Sequence, residues 1–205
     1  MKGILKNTLS LTVITVILGV LLGVVHHVTA EPIAVQEQKK KEEAYQEVFQ
    51  AAASFETIDL FGSGLQEKIE VSLAGDAFSG ERVDEAARAL DDSGSVLGYV
   101  VTVTTPEGYG GDIQLAIGIS LDKIVHGISF LEINETAGLG MRANTDAFKG
   151  QFQGRQAEVF SVTKGGASSE NEIDALSGAT ITSNAVTGAV NAGIRVCAVL
   201  SGEEE

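Results

Sequence analysis

Residues 96–133, VLGYVVTVTTPEGYGGDIQLAIGISLDKIVHGISFLEI, decide the fold. Residues 96–104 are β-branched and aromatic and read as a strand. Pro106-Glu107-Gly108-Tyr109-Gly110-Gly111 is a turn. Residues 113–120 follow, with Ile113, Leu115, Ile117 and Ile119 at a period of two, so one strand face is apolar. Leu121-Asp122-Lys123 makes a short turn into a third strand over 124–133. Three such strands in series predict an antiparallel meander whose alternate residues face a core.

Outward from the meander the pattern changes. Residues 83–90 suit a strand or a helix, and 56–80 are short apolar alternations broken by Gly62, Gly64, Gly75 and Gly80. Over 42–55, Ala44, Val48, Ala51, Ala52 and Phe55 recur at spacings of three and four, which predicts a helix at the domain edge. On the C-terminal side the reading is a short helix over 144–153, a strand over 158–163 and a small polar loop over 165–171. A final helix is expected over 183–200, with Ala185, Val186, Ala189, Val190, Gly193, Ile194 and Cys197 on one face, and Glu203 to Glu205 form a solvated acidic tail. The fold class is α+β, a mainly antiparallel sheet flanked by helices.

Residues 9–28 form an apolar run with no charge, about the 20 residues a helix needs to cross a bilayer. The run is longer than the ~7–15 apolar residues of a signal peptide, which favours a retained anchor. Val28-Thr29-Ala30 also has the small residues of a cleavage site, and a removed leader is the competing reading. Lys2 and Lys6 precede the run and Lys39, Lys40 and Lys41 follow it, so lysine placement does not decide its orientation. Gly19 and Gly23 are spaced to let another helix approach. The organisation expected is a membrane anchor over 1–30, a tether and helix over 31–55, and a folded domain over 56–205.

All 28 acids lie after residue 30, and the chain carries a net charge of −14. Such a surface repels a phosphate backbone, which argues against nucleic acid as a partner. Hydrophobic residues at 44% exclude a disordered acidic chain. Cys197 is the only cysteine, so no internal disulfide and no thiolate cluster can form from this chain, and on its helix face it reads as core. His26, His27 and His126 lack metal-ligand spacing. A hydrolase or metalloenzyme has little to draw on.

The stretch that carries chemistry is Asp174-Ala175-Leu176-Ser177-Gly178-Ala179-Thr180-Ile181-Thr182-Ser183. It is small and hydroxyl-rich and precedes a helix start, where unpaired N–H groups and the positive dipole end favour a phosphate. Gly178 and Ala179 let a ligand approach the backbone, and the hydroxyls of Ser177, Thr180, Thr182 and Ser183 can bond phosphate oxygens. By their chemistry alone the same residues suit a plain helix N-cap by Thr182 or Ser183 better than a phosphate site. Asp174 suits an Asx-type turn.

Asp174-x-x-Ser177-Gly178-Ala179-Thr180-x-Thr182 resembles the flavinylation motif of the FMN-binding domain family. Gly108-Tyr109-Gly110-Gly111 resembles that family's Gly-Tyr-Gly-Gly turn, and Glu135-Thr136-Ala137-Gly138-Leu139-Gly140 its Glu-Thr-Pro-Gly-Leu-Gly segment, with Ala137 where proline is usual. With the anchor and nearly all of 80–200, the whole is similar to G subunits of the Rnf complex, relatives of the C subunit of the sodium-pumping NADH:quinone reductase.

The resemblance implies an FMN held by a phosphoester bond to Thr182, placed there by a flavin transferase that uses FAD. Ser177 through Thr180, with Leu176 between them and Asp174, would shape that segment for the transferase and line the phosphate. Asp174 would be the acidic recognition position. Tyr109 and Gly110, with Glu135, Thr136, Gly138, Leu139 and Gly140, are expected near the isoalloxazine ring. Tyr109 could stack on that ring or pack at a strand end, and Glu135 could face the ring or be a solvated carboxylate. A covalent bond suits a domain outside the cytoplasm, where flavin is dilute, so the resemblance implies a single-pass inner-membrane protein with its domain on the extracytoplasmic side. The flavin does the redox chemistry and the protein sets position and potential. The implied role is an electron relay among the other subunits of an ion-translocating ferredoxin:NAD+ oxidoreductase. The rival roles are the quinone-reductase subunit, a free-standing surface flavoprotein, and a flavin-free envelope domain.

Overall fold

The computed structural model describes residues 2–62, 64–74, 78 and 80–202. The acidic tail expected at Glu203 to Glu205 lies outside them, as does Gly75. The chain divides into two units, 1–40 and 41–205.

Helix α1 runs Lys2–Val48. One helix among the described residues is long and apolar enough to cross a membrane, and it is this one; none of its apolar window is buried. A signal sequence would meet the same criterion. Pro32 lies inside the helix, where it removes the bond to the carbonyl of Val28. The residues expected to be a tether, 31–43, are helical here, since Gln, Lys and Glu are good helix formers.

In the second unit, β1 (Ser54–Thr57), β2 (Arg82–Leu90), β3 (Val96–Thr105), β4 (Ile113–Ser120), β5 (Ile124–Ile133) and β6 (Arg155–Gln156) form one antiparallel sheet in chain order. The meander is as expected. The ambiguous segment 83–90 is a strand, and α2 (Leu65–Leu73) occupies part of the unassigned stretch, burying Leu65, Ile69 and Leu73. The helix expected over 42–55 ends at Val48. Phe55 instead pairs with Ala89 on β1, because strand pairing with β2 satisfies a backbone that a longer helix would leave off the sheet edge.

Both sheet faces are covered, which is why β3 is buried almost throughout. Helix α4 (Thr180–Ser201) packs on one face. Its expected apolar residues, Ala185, Val186, Ala189, Val190, Gly193, Ile194 and Cys197, are all buried, against a core that includes Tyr99, Val101, Val103, Leu115, Ile117 and Ile119. The Tyr99 hydroxyl donates to the carbonyl of Leu200 at 3.5 Å. On the other face Ala44, Tyr45, Val48 and Phe49 pack on Ala87, Ala89, Val100 and Ala116. These strand residues are small, and Gly118, paired with Gly127, leaves room for the backbone of Val48. His126 stacks on Phe49 with ring centroids 4.5 Å apart, a packing role. Burial pushes the Cys197 thiol up to about 11, so it is an inert core residue.

After β5 come a 3-10 helix (Gly140–Asn144) and α3 (Asp146–Lys149), where a short helix was expected. The strand expected over 158–163 is shorter, β7 (Ser161–Thr163). It pairs in parallel with β8 (Glu172–Asp174), a second small sheet that the sequence pattern did not reveal. Glu172 is followed within eight residues by α4, so β8 delivers the chain to the helix start.

Candidate functional site

Two turns of the same kind face one another beside the start of α4. In the first, Leu139 N–H donates to Thr136 O at 3.1 Å and Gly138 has φ +76°. In the second, Ala179 N–H donates to Leu176 O at 2.9 Å and Gly178 has φ +79°. An i+3 to i bond with positive φ at i+2 is the type II pattern, and it requires glycine there. Leu139 Cδ2 lies 3.2 Å from the point where a Cβ on Gly178 would stand, so the turns touch.

The second turn leads straight into α4, whose N-cap is Ala179 with no side-chain cap bond. The expected cap by Thr182 or Ser183 is therefore corrected, since both lie inside the first turn. The first intrahelical bond is Ser183 N–H to Ala179 O at 3.0 Å, which leaves the N–H groups of Thr180, Ile181 and Thr182 ahead of it. Ser183 is fully buried. Its Oγ accepts from Leu176 N–H and donates to Ala179 O, both at 2.9 Å, so this hydroxyl braces the turn and is not available to a phosphate.

Between the turns is an open cleft of about 530 Å³, lined by Tyr109, Glu135, Thr136, Leu139, Gly140, Gly178, Ala179, Thr180, Ile181 and Thr182. That volume is within the ~300–1,000 Å³ usual for small-molecule sites. Thr182 forms the floor, with only 1% of its surface exposed. A Cβ on Gly140 would stand 2.5 Å from Glu135 Oε2 and 2.7 Å from Thr182 Oγ1. A carboxylate and the threonine hydroxyl thus flank one glycine, and only glycine keeps the space between them open. The rim is apolar: Tyr109 is 71% exposed, Ile181 53% and Leu139 43%.

Besides Ser183, five of the residues singled out from sequence stand outside the lining. Gly110 backs onto the carbonyl of Asn134, and Gly138 is spent on its turn. Leu176 is core, and Ser177 is exposed, its carbonyl accepting from Arg142 Nη1 at 3.5 Å. Asp174 ends β8, where its N–H donates to Gln151 Oε1 at 2.7 Å and its carbonyl accepts from Gln151 Nε2 at 3.3 Å. Its backbone is held by a side chain from the α3 segment, in place of the expected Asx-type role. Sequence reasoning missed Ile181, which it passed over as the variable position of the motif. An apolar residue in the first turn of a helix that must otherwise face solvent was the available signal.

A hydroxyl at the floor, two glycine turns that admit a ligand to the backbone, a helix start and an apolar rim suit a molecule with a phosphate at one end and a flat ring at the other. The class this defines is an FMN-binding domain, and that family matches residues 108–195, while the RnfG N-terminal region matches residues 1–48. The chain is 34% identical over 204 residues to the G subunit of the Na+-translocating ferredoxin:NAD+ oxidoreductase complex of Acetobacterium woodii, covering 98% of this chain and 94% of that one. It is 31% identical over 194 residues to the G subunit of the ion-translocating oxidoreductase complex of Methanosarcina acetivorans, covering 94% of each. Among solved structures, NqrC of Shewanella oneidensis has the same fold, with a TM-score of 0.57 at 17% identity over 81% of this chain and 98% of that one. The chain belongs to the family of G subunits of ion-translocating Rnf oxidoreductase complexes. With its apolar helix it is a membrane-associated member of a family that works in multi-subunit complexes.

Proposed function

We propose that the chain is an electron-transfer subunit of a membrane-bound, ion-translocating ferredoxin:NAD+ oxidoreductase and that it carries FMN through a phosphoester bond to Thr182 Oγ1. The observation that carries this reading is the Thr182 hydroxyl at the floor of a cleft kept open by Gly140. In the attachment step Thr182 Oγ1 attacks the flavin-side phosphorus of FAD. AMP leaves with the broken phosphoanhydride bond, and the hydroxyl proton goes to a base on the flavin transferase.

Once FMN is held there it supplies reversible one- and two-electron transfer. The chain's own residues do the rest. The N–H groups at the start of α4 favour the phosphate. Tyr109, Leu139 and Ile181, all exposed, would offer the ring an apolar rim. Thr136, Ala179 and Thr180 line the walls between. Asp174 and Ser177, both exposed, serve the transferase's recognition of the segment, Leu176 anchors it in the core, and Gly110 and Gly138 shape the turns.

The domain stands on the extracytoplasmic side and α1 is retained as a single-pass anchor; a permanent bond answers the dilute flavin of that compartment. The quinone-reductase reading rests on a fold likeness at 17% identity, whereas G subunits match along nearly the whole chain. The test is purification from native membranes in detergent. Co-purification of an Rnf set of subunits, with the domain cut by protease added outside intact spheroplasts, is the result expected. A chain that purifies alone, or is cut only after lysis, contradicts the assignment or the sidedness respectively.

A further inference from the structure

The cleft presents a charge problem. Its lining holds one carboxylate, Glu135, and no lysine, arginine or histidine. On the reading that Thr182 Oγ1 is esterified, the phosphodiester is an anion across Gly140 from Glu135 Oε2. Two like charges this close, on a chain of net charge −14, repel, and beyond the N–H groups at the start of α4 a nearby cation would offset that repulsion.

We infer that Arg142 is that cation, a positioning residue whose guanidinium is the counter-charge of the phosphate on Thr182. It lies on the 3-10 helix, two residues beyond Gly140, and its Nη1 reaches the carbonyl of Ser177, one residue before Gly178. Its head therefore spans the two turns that make the cleft. The 3.5 Å bond to Ser177 is long, and a guanidinium fork exchanges such a contact readily for a charged oxygen. The side chain is exposed and carries five N–H donors, enough to keep Ser177 O and still take a phosphate oxygen. Two other cations, on α3 and β6, are engaged elsewhere. Lys149 Nζ is 2.6 Å from Glu47 Oε1, and Arg155 Nη1 donates to the carbonyls of Glu170 and Glu172. Lys164 follows Thr163, the register partner of Asp174, and is the natural rival.

The inference rests on the attachment reading, and the experiment separates the two. Full-length protein is produced with a flavin transferase, as wild type, Arg142→Gln, Arg142→Lys, Lys164→Gln and Thr182→Ala. Covalent flavin is read by fluorescence on a denaturing gel, and folding by circular dichroism. The phosphodiester is followed by its 31P resonance in folded and in urea-unfolded protein. The expected result is a folded-state 31P resonance in Arg142→Gln displaced toward the unfolded position, or loss of flavin incorporation with the fold intact. Arg142→Lys and Lys164→Gln should stay close to wild type. Arg142→Gln indistinguishable from wild type overturns the inference while the attachment reading stands. So does Arg142→Lys as altered as Arg142→Gln, which would mark a structural fork on Ser177 O, or a shift seen only in Lys164→Gln. Flavin on Thr182→Ala, or none on wild type, overturns both.

Discussion

Glu135 Oε1 accepts the backbone N–H of Tyr109 at 2.8 Å, joining the turn before β4 to the loop after β5 across 26 positions. The same carboxylate, through Oε2, faces Gly140 beside Thr182. One side chain thus ties together the turn that carries Tyr109 of the rim and the loop that covers the floor. Removing it in Glu135→Ala leaves the Tyr109 turn without that tie. A hydrogen bond to a charged group is worth about 1.5 kcal/mol at the low end, suited to a half-buried acceptor. The expected fall in Tm is about 3–6 °C for a domain of this size, with Glu135→Gln in between because its amide oxygen still accepts. Thermal unfolding of the three proteins in one detergent checks this.

Gly140→Ala tests the floor itself. Its methyl group would press on Glu135 Oε2 and Thr182 Oγ1 at once. The expected outcome is a folded protein with flavin incorporation reduced by at least about tenfold, the scale of 1.4 kcal/mol against the attachment step. Gel fluorescence normalised to protein, together with far-ultraviolet circular dichroism, measures both halves of that statement.

Away from the cleft, Glu81 is a carboxylate at the edge of the core. Burial pushes it up to about 7 from an ordinary value near 4.5, a hydrogen bond from Thr105 opposes the rise, and the charge of Glu107 adds to it. Its Oε2 has no hydrogen-bond partner among the described residues. A carboxyl whose folded pKa is raised binds its proton more tightly folded than unfolded. Stability is therefore fullest below about 4.5 and is lost as pH rises through the window from there to about 7. Glu81→Gln removes the charge that must be buried. The residue as a whole is only half-buried, which screens part of the penalty, so the expected gain at pH 8 is about 1 kcal/mol, a Tm higher by about 2–4 °C. At pH 4 the two proteins should melt together. Tm measured against pH for both checks the sign.

The meander and the final helix were legible because their periods are clean: Ile113, Leu115, Ile117 and Ile119 alternate, and Ala185 through Cys197 keep a helical stripe. Residues 82–90 were not, because RVDEAARAL is alanine-rich and alanine suits a helix by propensity. It was small volume under α1 that placed Ala87 and Ala89 in the sheet. Phe55 stood at helical spacing from Ala51 and Ala52, and only pairing with Ala89 shows that it is on a strand. The β7–β8 pair joins strands of three residues, too short for a period to show. At the cleft, small and hydroxyl residues pointed to the segment that holds Gly178, Thr180 and Thr182 but equally to Ser177 and Ser183, and only the family resemblance singled out Thr182. What the spacing could not carry was long-range: Glu135 meeting Tyr109, Gly140 meeting Thr182, Arg142 meeting Ser177. Nor could it show that Ser183, one residue beyond Thr182, turns inward to brace the backbone.

The most direct measurement is flavin fluorescence under ultraviolet light on a denaturing gel, for protein from native membranes or a host supplying the flavin transferase, beside Thr182→Ala. A fluorescent wild-type band and a dark variant are the result expected if Thr182 Oγ1 carries the flavin. A dark wild-type band with active transferase present, or a variant that still fluoresces, would contradict it.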